Sequence, residues 1–289
     1  MSSQALLSQL VLGLVNGSFY ASLSLGLAII FGLLNIINFS HGAQYMLGAF
    51  TALLLLQKLG VSYWWALLLA PLSVGITGII IERLFLKRLY HIDPLYGLLL
   101  TFGMALIIEG LFVHFYGVSG MTYPTPQAMR GAFDLGFMFL PKYRAWVIVV
   151  PLLVCFGTWL IIERTKIGAY LRAGTENPKL LEAFGVNVPI TVTVTYGCGV
   201  ALASFAGVLA APVLQVNPLM GSNLIIVVFA VVVIGGMGSI IGSIITGLGL
   251  GVIEGLTKVV YPEASSTVIF LLMVIVLLVR PSGLFGQEK

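Results

Sequence analysis

The residue types that most often carry catalysis are few in this sequence and lack the spacing that such chemistry needs. The histidines are His41, His91 and His114, far from one another and from the two cysteines. The chain has no H-E-x-x-H or C-x-x-C motif for a metal and no G-x-x-x-x-G-K-[ST] loop for a phosphate. The run 236–239 matches half of a dinucleotide-binding fingerprint, but Gly242 comes one position late. We therefore expect no cofactor bound by this chain and no enzymatic activity of its own.

Glu109 is the acidic residue most open to a functional interpretation, because it lies within the apolar segment 96–117. If that segment spans a membrane, an ionisable residue there is costly and usually functional. With His114 five residues further on, Glu109 could form part of a proton relay or a coupling-ion site. It could equally lie near an interface or pair with a neighbouring helix. Glu254 and Lys258 have i, i+4 spacing, which favours an ion pair on one helix face.

Polar breaks interrupt the apolar segments and could contact a small polar solute. In the first break, Asn38 or Ser40 could instead cap the following helix. The second break, 215–223, has the composition of a plain turn. Glycines at 235–238 would expose backbone groups where a helix is broken. The candidate solute-pathway residues are Asn35, Asn38, Ser40, His41, Gln44, Glu109, Gln215, Asn217, Gly235, Gly236 and Gly238.

The composition identifies the environment in which these residues work. Apolar residues make up 59% of the 289 and charged residues only 8%, against about 25% charged in soluble domains. No charged residue occurs in 1–57 or in 183–253, and each run exceeds the roughly 20 residues of one transmembrane helix. The chain is therefore predicted to cross a membrane several times. The solidly apolar segments argue against a β-barrel. The net charge of +4 lies in short clusters between the apolar runs, which indicates membrane topology rather than nucleic-acid binding.

We predict an all-α transmembrane bundle of about 8 spans in a single domain, 1–289, with broken helices. The first segment begins without a positive region or a cleavage site and is expected to be retained. Segment 224–257 is too long for one straight span and should be broken or form two short helices. Cys155 and Cys198 both fall in apolar segments, where we expect them to fill the core. The predicted spans are 6–34, 40–57, 63–82, 96–117, 145–162, 190–212, 224–257 and 266–280.

Glycine spacing predicts close helix contacts within this bundle. Small residues four positions apart let helix backbones approach in lipid. This spacing occurs at Gly13 and Gly17, at Gly238 and Gly242, and at Gly251 and Gly255.

The distribution of Lys and Arg predicts the orientation. Loops 83–95 and 163–189 and the tail after Arg280 are basic, which places them in the cytoplasm and the N-terminus outside. Segment 224–257 must then enter and return on the outer side. Loop 118–144 lies outside as well, although Arg130, Lys142 and Arg144 conflict with that placement. This loop could meet a partner domain or be a plain connector.

Two further patterns concern organisation. Segments 16–42 and 196–222 align at a shift of 180 residues, and helices that crossed in opposite directions there would form an inverted repeat. In loop 163–189, Thr175 or Asn177 could cap a short helix, with Pro178 in its first turn and Gly185 after its end. Leu180, Leu181 and Phe184 would give that helix an apolar edge for a soluble partner, unless the stretch is a solvated loop.

Three segments together resemble the permease subunits of bacterial ABC importers for branched-chain amino acids. They are FGLLNIINFSHGAQYMLGAF, ERTKIGAYLRAGTENPKLLEAFGVNVP and VVVIGGMGSIIGSIITG, in this order. The likeness extends over essentially the whole chain, including its Arg-Pro-Ser-Gly-Leu-Phe ending. The resemblance implies a second permease subunit, two cytoplasmic ATP-binding subunits that use ATP and Mg, a periplasmic solute-binding protein, and location in the bacterial inner membrane.

The resemblance also implies that loop 163–189 couples the permease to the ATPases. It places the coupling residues Arg172, Glu176, Lys179, Glu182 and Gly185 at the ATPase surface. The better-known permease consensus is Glu-Ala-Ala, then three residues and Gly. This chain departs from it with Glu176-Asn177-Pro178 and with Gly185 nine residues after Glu176.

The expected function is import of branched-chain, hydrophobic amino acids by alternating access. Helix ends near Asn38 and Gly236 would meet the carboxylate and ammonium groups of the solute. Relatives in the family that import urea, short amides or small acids leave the solute open. The rival interpretation is a stand-alone channel or proton-coupled carrier that uses Glu109 and His114.

Overall fold

The computed structural model describes residues 3–34, 38–90 and 92–286, so that the predicted pathway residue Asn35 lies outside the described residues. Helices dominate the described part of the chain. Short 3₁₀ turns lie at Leu86–Arg88, Gln127–Met129 and Pro262–Ala264. A hairpin of two strands, β1 (Ala132–Asp134) and β2 (Phe139–Pro141), pairs Phe133 with Leu140 in the loop after the fourth helix. The helices are α1 (Ser3–Leu34), α2 (Ser40–Leu59), α3 (Tyr63–Leu84), α4 (Pro94–Tyr116), α5 (Lys142–Arg164), α6 (Lys166–Glu176), α7 (Pro178–Ala183), α8 (Val188–Ala210), α9 (Ser222–Gly235), α10 (Ile240–Val260) and α11 (Thr267–Val279).

The predicted all-α multi-pass bundle is confirmed. Within the described ranges, six stretches are long and apolar enough to cross a membrane, and they lie in α1, α3, α4, α5, α8 and α10. Helices α9 and α11 are apolar but shorter, with 14 and 13 residues. Each of the predicted apolar segments overlaps one of these helices or α2, and segment 224–257 overlaps two of them. The predicted break in 224–257 falls between α9 and α10, although α10 is a full-length helix.

The break between α9 and α10 follows from backbone geometry. Gly236 and Gly238 have φ of 99° and 86°, which side-chain-bearing residues rarely adopt. Ser239 then starts α10, because its hydroxyl accepts a hydrogen bond from the Gly242 amide at 3.1 Å. The chain therefore reverses direction within four residues.

Glycines let helices α1 and α10 approach each other closely, as the glycine spacing predicted. Helix α1 packs on α10, and a Cβ on Gly13 would lie 2.6 Å from the Gly251 carbonyl oxygen. Gly17 meets Leu248, whereas Gly255 meets Gly13. Residue numbers thus rise along α1 as they fall along α10, so the two helices are antiparallel.

The shift of 180 residues relates two halves of the chain, one that starts with α1, α2 and α3 and one that starts with α8, α9 and α10. The third helix of each half packs on the first helix of the other half. Gly75 of α3 meets Gly197 of α8, and Gly78 meets Val200. The pair α3–α8 therefore mirrors the pair α10–α1. One contact between helices also recurs at this shift. Gly207 packs on Tyr45, and the residues at the equivalent positions of the other half, Leu27 and Ile225, line one small gap. This arrangement supports the inverted repeat that the sequence alignment indicated.

The basic loops and the loop after α4 lie at opposite ends of the bundle, as the predicted orientation requires. One end carries Arg83 and brings together Gly32, Arg172, Gly238 and Phe285, which line one cavity. Loop 118–141 lies at the opposite end, where Met121 pairs with Val216. Because the first end collects the basic loops, the positive-inside rule predicts that it faces the cytoplasm, and we call it the inner end.

The cysteines differ in environment. Cys155 is buried in α5, as predicted, but Cys198 is exposed on α8, so its expected place in the core is wrong. Apolar helix surfaces in a membrane protein face lipid or a partner, so composition alone does not separate them from the core.

Candidate functional site

Helix α2 begins inside the bundle, beside the middle of α1. The His41 Nε2 atom lies 3.0 Å from the Leu23 carbonyl oxygen. Helix α1 continues to Leu34, which is about 16 Å further along its axis. The Phe39 amide donates to the Thr101 hydroxyl of α4 at 3.2 Å. The polar residues at the start of α2 are therefore enclosed by α1 and α4.

Three of these polar side chains bond to one another. The Ser40 hydroxyl donates to Asn38 Oδ1 at 2.5 Å, and Asn38 Nδ2 donates to Gln44 Oε1 at 3.3 Å. Gln44 Nε2 donates to the Ser40 oxygen at 3.2 Å and closes the triangle. All three side chains are at most 1% exposed. The alternative that Asn38 or Ser40 caps α2 is wrong, because the N-cap is Phe39 and no side chain caps the helix.

Tyr196 of α8 belongs to the same site, although nothing in the sequence marked it. Its hydroxyl lies beside Asn38, Ser40 and Gln44 but is not aligned for a hydrogen bond with any described residue. His41 Nδ1 is likewise buried without a partner among the described residues. The site therefore holds polar atoms with unused hydrogen-bonding capacity.

The first turns of α2 and α9 meet at this depth. A Cβ on Gly42 would lie 2.6 Å from the Gly221 carbonyl oxygen, and Gly221 packs equally closely on Gly42. Helix N-termini carry partial positive charge from unpaired amides. Two such ends lie side by side in the bundle, as in transporters whose broken helices hold anionic solute groups.

Glu109 lies next to these helix ends. Gly97, Thr101, Ala105 and Glu109 form a buried stripe of α4 that faces the bundle. Glu109 is 9% exposed, and its carboxylate is within reach of the Ser222 hydroxyl at the start of α9. His114 is exposed on another face of α4 and packs on Phe115, with ring centroids 5.2 Å apart. The geometry therefore does not join Glu109 and His114 into a relay.

The remaining pathway candidates lie away from this site. Asn217 Oδ1 accepts from the Leu219 amide at 3.0 Å, and Asn217 Nδ2 donates to the Gln215 carbonyl at 3.2 Å. This pattern is a turn at the outer end, which agrees with the interpretation of 215–223 as a plain turn. Gln215 packs on Gly120 in the outer loop.

The glycines after α9 lie at the inner end and are occupied by the C-terminal segment. The Leu284 amide donates to the Ile234 carbonyl at 2.8 Å, and the Phe285 amide donates to the Gly235 carbonyl at 3.2 Å. Gly236 packs on Gly286, and Gly238 packs on Gly32 of α1. The C-terminal segment thus covers Gly235 and Gly236, whereas the N-terminal part of α9 lies beside Asn38. A solute contact at the helix end near Gly236 stays a prediction.

The inner loop 163–189 contains the predicted short helix. The Leu180 amide donates to Asn177 Oδ1 at 3.0 Å, which starts α7, and Gly185 has a φ of 83° after its end. Leu181 is buried, whereas Leu180 and Phe184 are 55% and 78% exposed. The apolar edge thus points away from the bundle. Helix α6 before it was not predicted, because Lys166–Glu176 is charged and carries no long apolar run.

The predicted coupling residues divide between two surfaces. Lys179 and Glu182 are exposed on α7. Arg172 instead faces α5, where its Nη1 donates to the Ile162 carbonyl at 2.9 Å and lies 3.5 Å from Glu163. Arg172 and Glu176 line the inner cavity of about 710 Å³.

Replacing Asn38 with leucine is expected to lower the free energy of unfolding by about 1–3 kcal/mol, because the Ser40 hydroxyl and the Gln44 amide would lose buried partners. Thermal unfolding of the purified protein in detergent measures the effect. Asn223→Leu is the matched control, since Asn223 is exposed on α9. Equal melting temperatures for Asn38→Leu and the wild type would contradict a structural triangle.

Comparison with known proteins gives concordant results. Residues 9–277 match the family model described as "Branched-chain amino acid transport system / permease component". The chain is 32% identical to the high-affinity branched-chain amino acid transport system permease protein BraD of Pseudomonas aeruginosa, over 98% of this chain and 96% of that protein. It is 30% identical to the permease protein LivH of Salmonella typhimurium, named for the same kind of system, over 100% of this chain and 99% of that protein.

A permease protein of a second kind also matches. The chain is 27% identical to the high-affinity branched-chain amino acid transport system permease protein LivM of Escherichia coli, over 93% of this chain and 68% of that protein. No solved structure matches.

Proposed function

Because the chain belongs to the family of branched-chain amino acid transport permease components, we propose that it is one of two permease subunits of an ATP-driven importer. The second subunit would be a related permease, since relatives of both the LivH and the LivM kind carry names of the same transport system. The bacterial inner membrane is the expected location. The chain itself is a transport subunit and carries no phosphate-binding loop of its own.

The meeting of α2, α9 and Glu109 is the observation that carries the solute assignment. An amino acid presents a carboxylate and an ammonium group. The adjacent N-termini at Gly42 and Gly221 favour the carboxylate, and the Glu109 carboxylate favours the ammonium group. Urea and short amides lack this pair of charges, so the arrangement favours an amino acid over them.

An aromatic surface beside the helix ends suits an aliphatic side chain. The ring of Phe39 packs on Phe102 and on Phe229, with centroids 6.0 Å and 6.1 Å apart. Phe102 is 47% exposed, so this surface opens on the outside of the subunit. We propose that the solute passes here, between the two permease subunits, and that branched-chain amino acids are the substrates.

Helix α7 supports the assignment of an external energy source. The exposed Leu180 of α7 and Phe184, which directly follows α7, lie at the inner end, where water-soluble ATP-binding subunits could cover them. Two such subunits would bind ATP and Mg and move α7 during each cycle, which would open the pathway alternately outward and inward. A periplasmic solute-binding protein would deliver the solute at the opposite end, near loop 118–141.

Mild solubilisation of the tagged chain from its native membrane tests this function. We expect a second permease and ATP-binding subunits to co-purify, and we expect the complex in liposomes, supplied with the binding protein, to hydrolyse ATP faster when L-leucine is present. Urea and acetamide serve as matched solute controls. A homo-oligomer that moves L-leucine without ATP would contradict the proposal and favour a stand-alone carrier.

A further inference from the structure

A buried carboxylate joins three elements at the inner end of the bundle. Glu82 of α3 is 1% exposed. The Tyr90 hydroxyl donates to its Oε1 at 2.5 Å, and the Thr193 hydroxyl of α8 donates to its Oε2 at 2.7 Å. Tyr90 lies in the connection from α3 to α4, outside the helices. Glu82 therefore links α3, α8 and the start of the path into α4.

The bonds at Glu82 depend on hydroxyl geometry. Among the described residues, no lysine or arginine pairs with Glu82. A buried carboxylate needs hydrogen bonds in place of water, and hydroxyl groups supply them here. Burial, and next the hydrogen bond and negative charge of Glu82, raise the pKa of Tyr90, so its hydroxyl stays protonated and donates. The Thr193 hydroxyl also lies 3.0 Å from the Pro189 carbonyl, which offers a second acceptor if α8 moves away.

The other half of the molecule contains a related contact at the opposite end. Glu254 of α10 accepts from the Tyr20 hydroxyl of α1 at 2.7 Å, and it pairs with Lys258 at 2.6 Å, as the i, i+4 spacing predicted. Here a cation holds the carboxylate whatever α1 does. The contact of Glu82 has no such support, so it is the one that responds to a shift between its helices.

The position of Thr193 connects this contact to α7. Helix α7 ends at Ala183, and α8 begins five residues later, at Val188, under the Asn187 cap. Thr193 lies in the second turn of α8, and Tyr196, three residues further on, lies against the polar triangle of α2. Because a helix moves as a rigid rod over two turns, a shift of α7 displaces both residues together.

We propose that Glu82 is a positioning residue that makes α3 and α4 follow α8 when α7 moves, an inference that rests on the proposed coupling role of α7. The hydrogen bond between Thr193 and Glu82 moves α3 with α8, and the hydrogen bond between Tyr90 and Glu82 moves the start of α4 with α3. Helix α4 in turn bonds the Phe39 amide through Thr101. Movement at the ATPase surface thereby reaches the solute site from two sides, through Tyr196 and through α4.

The test measures L-leucine transported per ATP hydrolysed by the complete importer in liposomes. Thr193→Val removes the hydroxyl at nearly constant volume, and Thr193→Ser restores it. Thr195→Val is the control in the same helix, because the Thr195 hydroxyl bonds only the Thr191 carbonyl among the residues that the structure describes. We expect Thr193→Val to lower the transport-to-hydrolysis ratio about tenfold, the effect of one hydrogen bond to a charged acceptor. The protein should stay folded with a lower melting temperature, because the buried Glu82 carboxylate loses one of its two hydroxyl donors among the described residues. Thr193→Ser and Thr195→Val should match the wild type.

Other outcomes overturn the inference. A wild-type ratio for Thr193→Val would exclude Glu82 from coupling. Loss of ratio and melting temperature together, without rescue by Thr193→Ser, would assign the contact to folding alone. If Thr193→Val does not fold, Tyr90→Phe removes the other bond without altering α8, and a wild-type ratio there is equally decisive. A wild-type importer in which L-leucine does not stimulate ATP hydrolysis would contradict the proposed function itself, and this inference with it.

Discussion

Replacing Phe184 with alanine is expected to lower L-leucine-stimulated ATP hydrolysis by the assembled importer about tenfold or more. Phe184 is 78% exposed at the inner end, after α7. An aromatic side chain that inserts into a partner pocket commonly contributes about 2 kcal/mol or more to an interface. The loss should therefore appear in the recovery of ATP-binding subunits during purification as well as in hydrolysis.

The folded bundle should not change in this variant, because Phe184 makes little contact with it. Phe115→Ala is the matched control, since Phe115 is 73% exposed at the outer end of α4. It should leave both recovery and hydrolysis at wild-type values. Full recovery of ATP-binding subunits with Phe184→Ala would show that these subunits do not dock at α7.

Gly207→Leu is expected to prevent folding of the bundle. Helices α2 and α8 touch at Gly207, where a Cβ would overlap the Tyr45 carbonyl oxygen. The same pair touches at Gly48, which packs on Ser204. Overpacking commonly costs about 1–3 kcal/mol, and here the obstacle is backbone, which no rotamer change relieves. We expect the cost to exceed that range and to separate α8 from the polar triangle.

Size-exclusion chromatography of a fluorescent fusion measures the amount of folded Gly207→Leu protein. Gly103→Leu is the matched control, because Gly103 lies within α4 and a Cβ there meets no atom within 4 Å. It should give a wild-type profile. A monodisperse peak at wild-type yield for Gly207→Leu would mean that α2 and α8 are further apart than described.

Features set by local chemistry could be predicted from the sequence. Long apolar runs predict spans because a helix in lipid must satisfy its own backbone. The start and end of α7 followed from Asn177, Pro178 and Gly185, which act on neighbours a few residues away. The turn at Asn217 has the same local origin.

Features set by distant neighbours could not be predicted. Asn38 and Ser40 have the composition of helix caps, but Gln44 and the enclosing helices turn their side chains toward each other. Tyr196 and Glu82 carry no motif, and the partner that identifies Glu82 is 111 residues away. Nothing in the sequence indicated that the pathway candidates Gly235 and Gly236 have a packing partner, yet the C-terminal segment hydrogen-bonds to the end of α9 beside them.

The short length of α9 has a consequence for synthesis. Its 14 residues span about 21 Å, less than the roughly 30 Å of a bilayer core. Alone it is too short to cross the bilayer core as a span of its own. We therefore expect it to enter the lipid together with α10, as a helical hairpin closed at Gly236. A helix of 14 residues would thus be inserted into the membrane through the longer helix that follows it in the chain.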